Sequence, residues 1–587
     1  MNEHELISEN DITKGIRIKR IKLKPLTPLV SRILKIKELN ELYAKHAHAF
    51  GGEFSEQVLE HLKVNYTVNT KELEHIPKDG AFIIVCNHPY GGIDGLLLLS
   101  LLSKKRPDIK LMANFLLQQI PSLKNNLVSV NPFKQTKKDG INITAIKQCL
   151  GFIQNGVPIA IFPAGEVSSV KRTHLNISIS DKMWNPVVGK LIMKAQVPVI
   201  PVYFAGHNSL LFNLLGLIHP IFRTAKLPSE LFNKSNENIH VRIGKPIKVK
   251  AINEFEKPSE LLKFLRAKTY ALGSSLKIDS KSFIEKLAPK TNPQAIINET
   301  PLALLVNDLN KIKTSNLLFT QNNFEVYMSN AYNIPNILKE ITRLREITFR
   351  AVGEGTNKAL DTDQYDYLYH HLFIWDKTAQ KLVGAYRVGL GDELYKQYKK
   401  NGFYLHTLFK IKKRFSPILK QSLELGRSFI VSEYQRHPYA LLLLWKGINR
   451  FIEQNNQAYK YLIGPVSISN NFSALSKDLM VDYITQNHFD KQLSEFVKPR
   501  KKYSFKYKGD STSLSEHTHQ NIKILDDMIE EIELTGNKIP VLLKKYLKQN
   551  AKIIGFNIDP KFNNALDGFL VMNIEQVPEQ TFEMVTR

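Results

Sequence analysis

At 587 residues the chain exceeds one ordinary core, so two or more domains are expected. A hydrophobic share of 43% with 10% aromatic residues excludes a disordered chain. The net charge of +26 favours anionic partners, and two cysteines without metal-ligand spacing, Cys86 and Cys149, read as buried thiols in a reducing compartment.

In chain order, the first 15 residues are polar and acidic, unlike a secretory signal. Residues 14–37 then carry nine Lys or Arg and no acid, and 16–24 alternate basic with apolar. Such a run suits membrane contact, with cations on anionic headgroups and Ile and Leu in the acyl boundary. A solvated edge strand is the plainer alternative, and the period is closer to two than to 3.6. An α/β alternation follows. Strands are expected at 81–86, 158–162 and 197–204, and helices at 96–102, 144–154 and 187–195, which makes a largely parallel sheet. A strand at 240–249 and a helix at 259–277 complete this part. The apolar stretch 203–222 is broken by His207, Asn208, His219 and Pro220 and falls short of the roughly 20 residues a bilayer span needs. A cytoplasmic protein, peripheral to the inner membrane, is expected.

Residues 278–323 are polar and weakly periodic and read as a connector. A second mixed α/β region begins near Phe324, with a helix at 334–350, strands at 370–376 and 381–390, and a helix at 437–454. Two further helices and a strand at 568–573 close it. The expected organisation is a basic segment 1–50, a domain 51–277, the connector 278–323 and a domain 324–580.

Two constellations carry chemistry. In the first, Asn87-His88-Pro89-Tyr90-Gly91-Gly92-Ile93-Asp94 follows a buried strand, and the carboxyl ends of strands are where open α/β sheets place their sites. Gly91 and Gly92 permit a sharp turn. Asp94 then reaches one ring nitrogen of His88 and leaves the other as a general base; imidazole, titrating at roughly 6.5, suits that task. No nucleophilic Ser or Cys sits in the motif, so direct transfer to a hydroxyl fits better than an acyl-enzyme. Phe162-Pro163-Ala164-Gly165-Glu166 ends a second strand with a turn that presents amides and a carboxylate. Val197-Pro198-Val199-Ile200-Pro201 marks a third.

These blocks resemble the glycerolipid (lysophosphatidic-acid-type) O-acyltransferases, marked by His-x4-Asp, Phe-Pro-Glu-Gly and a Val-Pro-Ile-Ile-Pro segment. The resemblance covers about residues 60 to 250. It implies a glycerolipid-acyltransferase-like α/β fold, with His88 as base and Asp94 as its orienting partner. It further implies that Asn87, Gly91, Gly92, Phe162, Pro163, Gly165 and Glu166 shape the acceptor pocket, and Val197, Pro198 and Pro201 the acyl channel. Here the spacing is His-x5-Asp and the acid of the second block sits two positions later. The Arg block that grips glycerol phosphate has no match; Asn131-Pro132-Phe133-Lys134 carries only a Lys. This form is similar to the hemolysin-like subgroup, which includes bacterial aminolipid synthases.

The second constellation runs Arg345…Phe349, then Asp361 to Asp366, Arg387, and Glu424 with Arg427. Carboxylates beside arginines suit a zwitterionic amine; an ordinary ion-pair network is the plainer reading. The ordered set resembles the acyl-homoserine-lactone synthases and related aminolipid N-acyltransferases, which have a GNAT-like α/β fold. Arg345, Phe349, Asp363, Asp366, Arg387 and Arg427 match as binding residues, and Glu424 is the candidate base. An N-acylating and an O-acylating half in one chain resemble the bifunctional ornithine-lipid synthases of bacteria. That resemblance implies an amino acid (ornithine, or glycine or serine) acylated at its amine by a 3-hydroxyacyl thioester. The hydroxyl of the monoacylated amino acid is then esterified. The expected donor is acyl carrier protein or acyl-CoA, and no metal or organic cofactor is expected. A single-activity acylglycerophospholipid acyltransferase is the alternative. No nucleic-acid-binding signature is present.

Overall fold

The computed structural model describes residues 35–130, 143–173, 176–218, 220–276, 293–437, 439–455, 458–505 and 511–578. The basic alternation at 16–24 and Asn131–Lys134 lie outside them. The chain divides into two compact units, 1–277 with 508–516, and the remainder.

The first unit is built on a seven-stranded sheet. Its strands are β1 (Asn65–Val68), β2 (Ile83–Cys86), β3 (Lys110–Asn114), β4 (Leu127–Val130), β5 (Ile159–Ile161), β8 (Val199–Phe204) and β9 (Asn238–Ile243). A hairpin of β6 (Ser169–Thr173) and β7 (Asn176–Ser180) stands apart. The spatial order is β1-β9-β8-β2-β5-β3-β4, and every pairing is parallel except β8 with β9. The apolar run of β2 is fully buried at the centre, as its lack of alternation requires. Helices α1 (Gly92–Ser103), α2 (Ile143–Gln154), α3 (Pro186–Ala195), α4 (Leu210–Ile218), α5 (Pro220–Phe232) and α6 (Pro258–Leu272) belong to this unit. α1 begins four residues earlier than its apolar run, because Asp94 caps its first turn. The strand expected at 240–249 ends at Ile243, with a short helix from Val249.

The second unit holds an eight-stranded sheet, in the order β10-β11-β12-β13-β15-β16-β19-β18. These are β10 (Leu317–Gln321), β11 (Phe324–Asn330), β12 (His370–Asp376), β13 (Lys381–Leu390), β15 (Ser422–Ile430), β16 (Tyr461–Ile468), β18 (Lys552–Asp559) and β19 (Ala565–Asn573). A separate pair joins β14 (Phe409–Ile411) to β17 (Val497–Pro499). All neighbours in the large sheet are antiparallel except β15 and β16.

The connector reading needs correction beyond residue 301. Leu302–Ile312 forms helix α7, and β10 is the sheet's edge strand. Leu305, Leu309 and Ile312 pack against Ile334, Ile337 and Ile341, the last two on helix α8 (Pro335–Ala351). Their helical spacing was outweighed by the polar residues around them. Residues 277–292 lie outside the described ones. Helix α9 (Ala440–Gln454) buries Leu443, Leu444 and Trp445. Among the described residues, no helix is long and apolar enough to cross a membrane.

Candidate active sites

The first site is at the carboxyl end of β2. His88 Nδ1 pairs with Asp94 Oδ2 at 2.9 Å. The same oxygen accepts from the Tyr90 and Gly91 amides, both at 2.9 Å. Gly91 makes this closure possible. Its φ of 91° is open to glycine, and an added Cβ would come within 2.9 Å of Leu227. The longer His-x5-Asp spacing therefore still joins carboxylate to imidazole, with Asp94 at the third position of α1. Gly92 is simply the first helical residue and has no such constraint.

Asp94 is fully buried, while the His88 side chain retains 17% exposure. Burial pushes the Asp94 carboxyl up, and its bonds from His88 and the two amides oppose that push. With Nδ1 held by Asp94, Nε2 is the ring nitrogen left for a substrate. The ring stacks on Phe162, with centroids 4.1 Å apart, so the strand-end aromatic restricts its tilt. Phe162 to Gly165 closes as a turn, with the Gly165 amide donating to the Phe162 carbonyl at 3.0 Å and Gly165 at φ 69°. Pro163 is buried, and its carbonyl accepts from the Asn185 amide at 3.0 Å. Glu166 pairs with Lys182 at 2.6 Å, on the partly exposed rim of these loops.

One residue outside the motifs organises this end. Asp181 is fully buried; it accepts from the His88 amide at 3.1 Å, from Ser168 Oγ at 2.5 Å and from Trp184 Nε1 at 3.1 Å. Its backbone is tied to Tyr270 and Arg266. No spacing signal marks it, because its partners lie up to 93 residues away.

Two expectations fail here. Asn87 is not open to substrate. Its side-chain amide both donates to and accepts from the Phe204 backbone, at 2.9 and 2.8 Å, which extends the β2–β8 pairing. Val197, Pro198 and Pro201 do not line a channel at this end. β2 and β8 run parallel with Ile83 beside Val199 and Val85 beside Pro201. Val197 and Pro198 therefore lie at the amino edge, opposite His88, and Pro201 is buried within the sheet.

The second site lies within the sheet of the second unit. β15 and β16 pair over Ser422–Glu424 and Tyr461–Ile463 only, then part. Tyr369, Arg387, Tyr404, Glu424, Gly426, Arg427 and Pro465 line a small cleft at that point. Glu424 is 1% exposed. Its carboxylate accepts from Tyr369 Oη, from the Tyr404 amide at 3.1 Å and from the Leu405 amide at 2.7 Å. Burial nevertheless pushes its pKa up to about 7.

Behind the cleft is a chain of ion pairs. Arg345 binds Asp366 through two nitrogens, both at 2.9 Å, and Asp361 through Nε at 2.8 Å. Arg387 binds Asp363 at 2.7 Å and Asp366 at 3.3 Å. Arg427 is 3.5 Å from Asp361 and 3.8 Å from Asp363. Burial alone would raise the Asp366 carboxyl, but Arg345 and Arg387 together hold it well below the usual range. Arg387 sits among the rings of Tyr365, Tyr369 and Tyr404 at 5.2 to 5.8 Å. Arg427 has φ 51° and occupies a bulge, where two β15 residues oppose one on β13. Such a bulge re-aims a side chain at the cost of local strain.

Arg345 and Asp366 thus form a buried scaffold, not a surface for substrate. Phe349 packs beside Leu344 against the cluster of Ile337 and Phe373, away from the cleft. Arg387, Arg427 and Glu424 reach the cleft, and Asp363 lies beside it, 28% exposed. Tyr369 and Tyr404 also line it; as ordinary core-type residues they carried no signal.

Comparison with known proteins agrees with this division. Residues 28–279 match a family described as acyltransferase, and 344–446 match an acetyltransferase (GNAT) domain. A protein named glycine N(alpha)-acyltransferase from Phocaeicola vulgatus is 29% identical over 271 residues, 43% of this chain and 81% of that protein. Its namesake from Bacteroides thetaiotaomicron is 28% identical over 49% of this chain and 88% of its own length. A lyso-glycine lipid O-acyltransferase from the same organism is 28% identical over 45% of this chain and 97% of its own length. The chain is an α/β acyltransferase in which an N-terminal acyltransferase domain of lysophospholipid type precedes a C-terminal GNAT domain.

Proposed function

We propose that the chain makes an aminolipid in two acyl transfers, using the C-terminal site first. An amino acid of the ornithine or glycine type enters the cleft between β15 and β16 with its carboxylate toward Arg387 and Arg427. Glu424, with a pKa near 7, takes a proton from the ammonium. The free amine attacks the carbonyl of a 3-hydroxyacyl thioester; the C–N bond forms, the C–S bond breaks and the thiol leaves. The 3-hydroxyl of the product then meets the N-terminal site. His88 Nε2 removes its proton as the oxygen attacks a second acyl thioester, and the same proton returns to the departing sulfur. Asp94 steadies the imidazolium in between.

The observation that carries this reading is the pairing, in one chain, of a His88–Asp94 dyad with a Glu424 cleft, together with relatives named separately for N-acylation of glycine and O-acylation of a lyso-glycine lipid. Neither transfer is a redox step, and neither requires a cofactor beyond the thioester. The excess of basic residues suits an acidic acyl carrier protein as donor and an anionic bilayer as the place of work.

The test uses purified full-length protein with 3-hydroxyacyl carrier protein and single amino acids. An amide should form with one of them, and ester should follow when a second acyl thioester is added. Acylation of lysophospholipid without any amide product would favour a single-activity enzyme and overturn the proposal.

A further inference from the structure

Between Glu393 and Glu424 the chain has eight Lys or Arg and no Asp or Glu; between Glu495 and Asp510 it has six and again no acid. The fold of the second unit brings these two stretches together. β14 and β17 pair with Phe409 opposite Pro499, Lys410 opposite Lys498 and Ile411 opposite Val497. Phe409, Ile411 and Val497 are buried in the apolar cluster that also holds Tyr369 of the cleft. Side chains alternate along a strand, so Lys410 and Lys498 face outward. Lys412 and Arg500 come next along the two strands, where the Lys412 amide donates to Phe496 and the Arg500 amide to Leu408. All four cations are exposed, and among the described residues none has a carboxylate partner.

Like charges directly opposite each other work against strand pairing. The ribbon is held by its apolar inner face and opposed by the Lys410–Lys498 pair, so fold stability does not account for that pair. An external counter-charge does. The ribbon is also tied to the second site. Leu405, whose amide holds Glu424, is five residues before Lys410, at most about 18 Å of chain. Arg500 donates twice to the His406 carbonyl, at 3.1 and 2.8 Å, which anchors β17 to the same short helix, Leu405–Leu408.

The layout of the cations selects the occupant. They are spaced about 7 Å along a strand and about 5 Å across the pair. A diphosphate is gripped instead by amides converging in a concave nest. An inserting membrane face sets apolar residues beside its cations, whereas positions 410, 412, 498 and 500 are all Lys or Arg. A protein surface rich in carboxylates is the complement of such a face. We propose that the outer face of the β14–β17 ribbon docks an acidic protein that carries the acyl group as a thioester, and so feeds the Glu424 cleft. The proposal rests on the reading above for the thioester; the charge match stands on the ribbon alone.

The test measures binding of a bacterial 3-hydroxyacyl carrier protein to the full chain, and compares amide formation from that carrier with amide formation from the free 3-hydroxyacyl pantetheine thioester. K410E/K498E should weaken carrier binding about tenfold and raise KM for the carrier to match, with kcat and transfer from the free thioester unchanged. K498E alone should also bind the carrier more weakly, yet melt no lower than wild type, because it sets Glu opposite Lys410. K313E/K377E, just past α7 and β12 and toward the other edge of the sheet, should bind as wild type. Carrier binding by K410E/K498E at the wild-type level, no binding by the wild type, or an equal loss of transfer from the free thioester would each overturn the proposal. Loss of binding to phosphatidylglycerol vesicles with carrier binding kept would overturn it in favour of a lipid. Carrier binding that falls as expected while neither thioester yields amide would instead discard the reading of Glu424 and leave the docking face standing.

Discussion

The two sites solve the same problem with opposite constructions. At the first, the base and its partner are six residues apart, and one glycine turn joins them. At the second, Glu424 is 55 residues from Tyr369, and the ion pairs behind it join α8, the 361–366 loop, β13 and β15. The local site exposes part of its ring and risks little stability. The dispersed site buries Arg345 and Arg387 with Asp361 and Asp366, where each partner is needed to offset the desolvation of the others.

That contrast sets an order of effects. D366A should be most damaging, because it leaves Arg345 and Arg387 without their shared partner. A loss of roughly 3–5 kcal/mol is expected for breaking a buried pair, readable as an early unfolding transition. Wild-type stability in D366A would show that the network is not a scaffold. H88A should cost the O-acyl step about 10²–10⁴-fold, the range for a general base, with amide formation intact and little change in thermal midpoint.

E424Q addresses charge at the second site. Amide formation should rise with pH through about 7 in the wild type and lose that dependence in the variant. Stability moves the other way. Burial raises the folded-state pKa of Glu424 above its unfolded value, so the folded state holds this proton more tightly. Stability is then lost as pH rises from the ordinary carboxyl range toward 7. E424Q should flatten that slope in pH-dependent denaturation; an unchanged slope would assign it to another group. The smallest effect is expected of F162A. Loss of the ring under His88 should reduce O-acylation several-fold, on the order of the 0.5–1.5 kcal/mol of an aromatic pair.

The same contrast explains what could be read from sequence. The run at 81–86, the glycine turn and the dyad were legible because strand, turn and partner are contiguous. Helices 335–351 and 440–454 and strands 370–376 and 381–390 were legible from period. β15 was not, because Glu424 and Arg427 interrupt the apolar pattern that would mark a buried strand, and β16 was not, because Gly464-Pro465 in its middle reads as a turn. The charges that build the site hide the element carrying it. Val197 and Pro198 were misplaced for a different reason: a motif does not say which end of a parallel strand faces the ligand. Asn87 was misread because a polar residue beside a catalytic histidine looks like a binding group, whereas its amide completes a ladder. Asp181 was invisible, since a buried acid with distant partners leaves no trace in spacing.

The most direct measurement is mass spectrometry of lipids from a host that makes no aminolipids, expressing the full chain or its H88A variant. A diacylated amino acid is expected with the wild type, and a monoacyl amide should accumulate with H88A. An absence of any new aminolipid with the folded wild-type protein, or loss of the amide as well as the ester in a folded H88A protein, would contradict the two-transfer proposal.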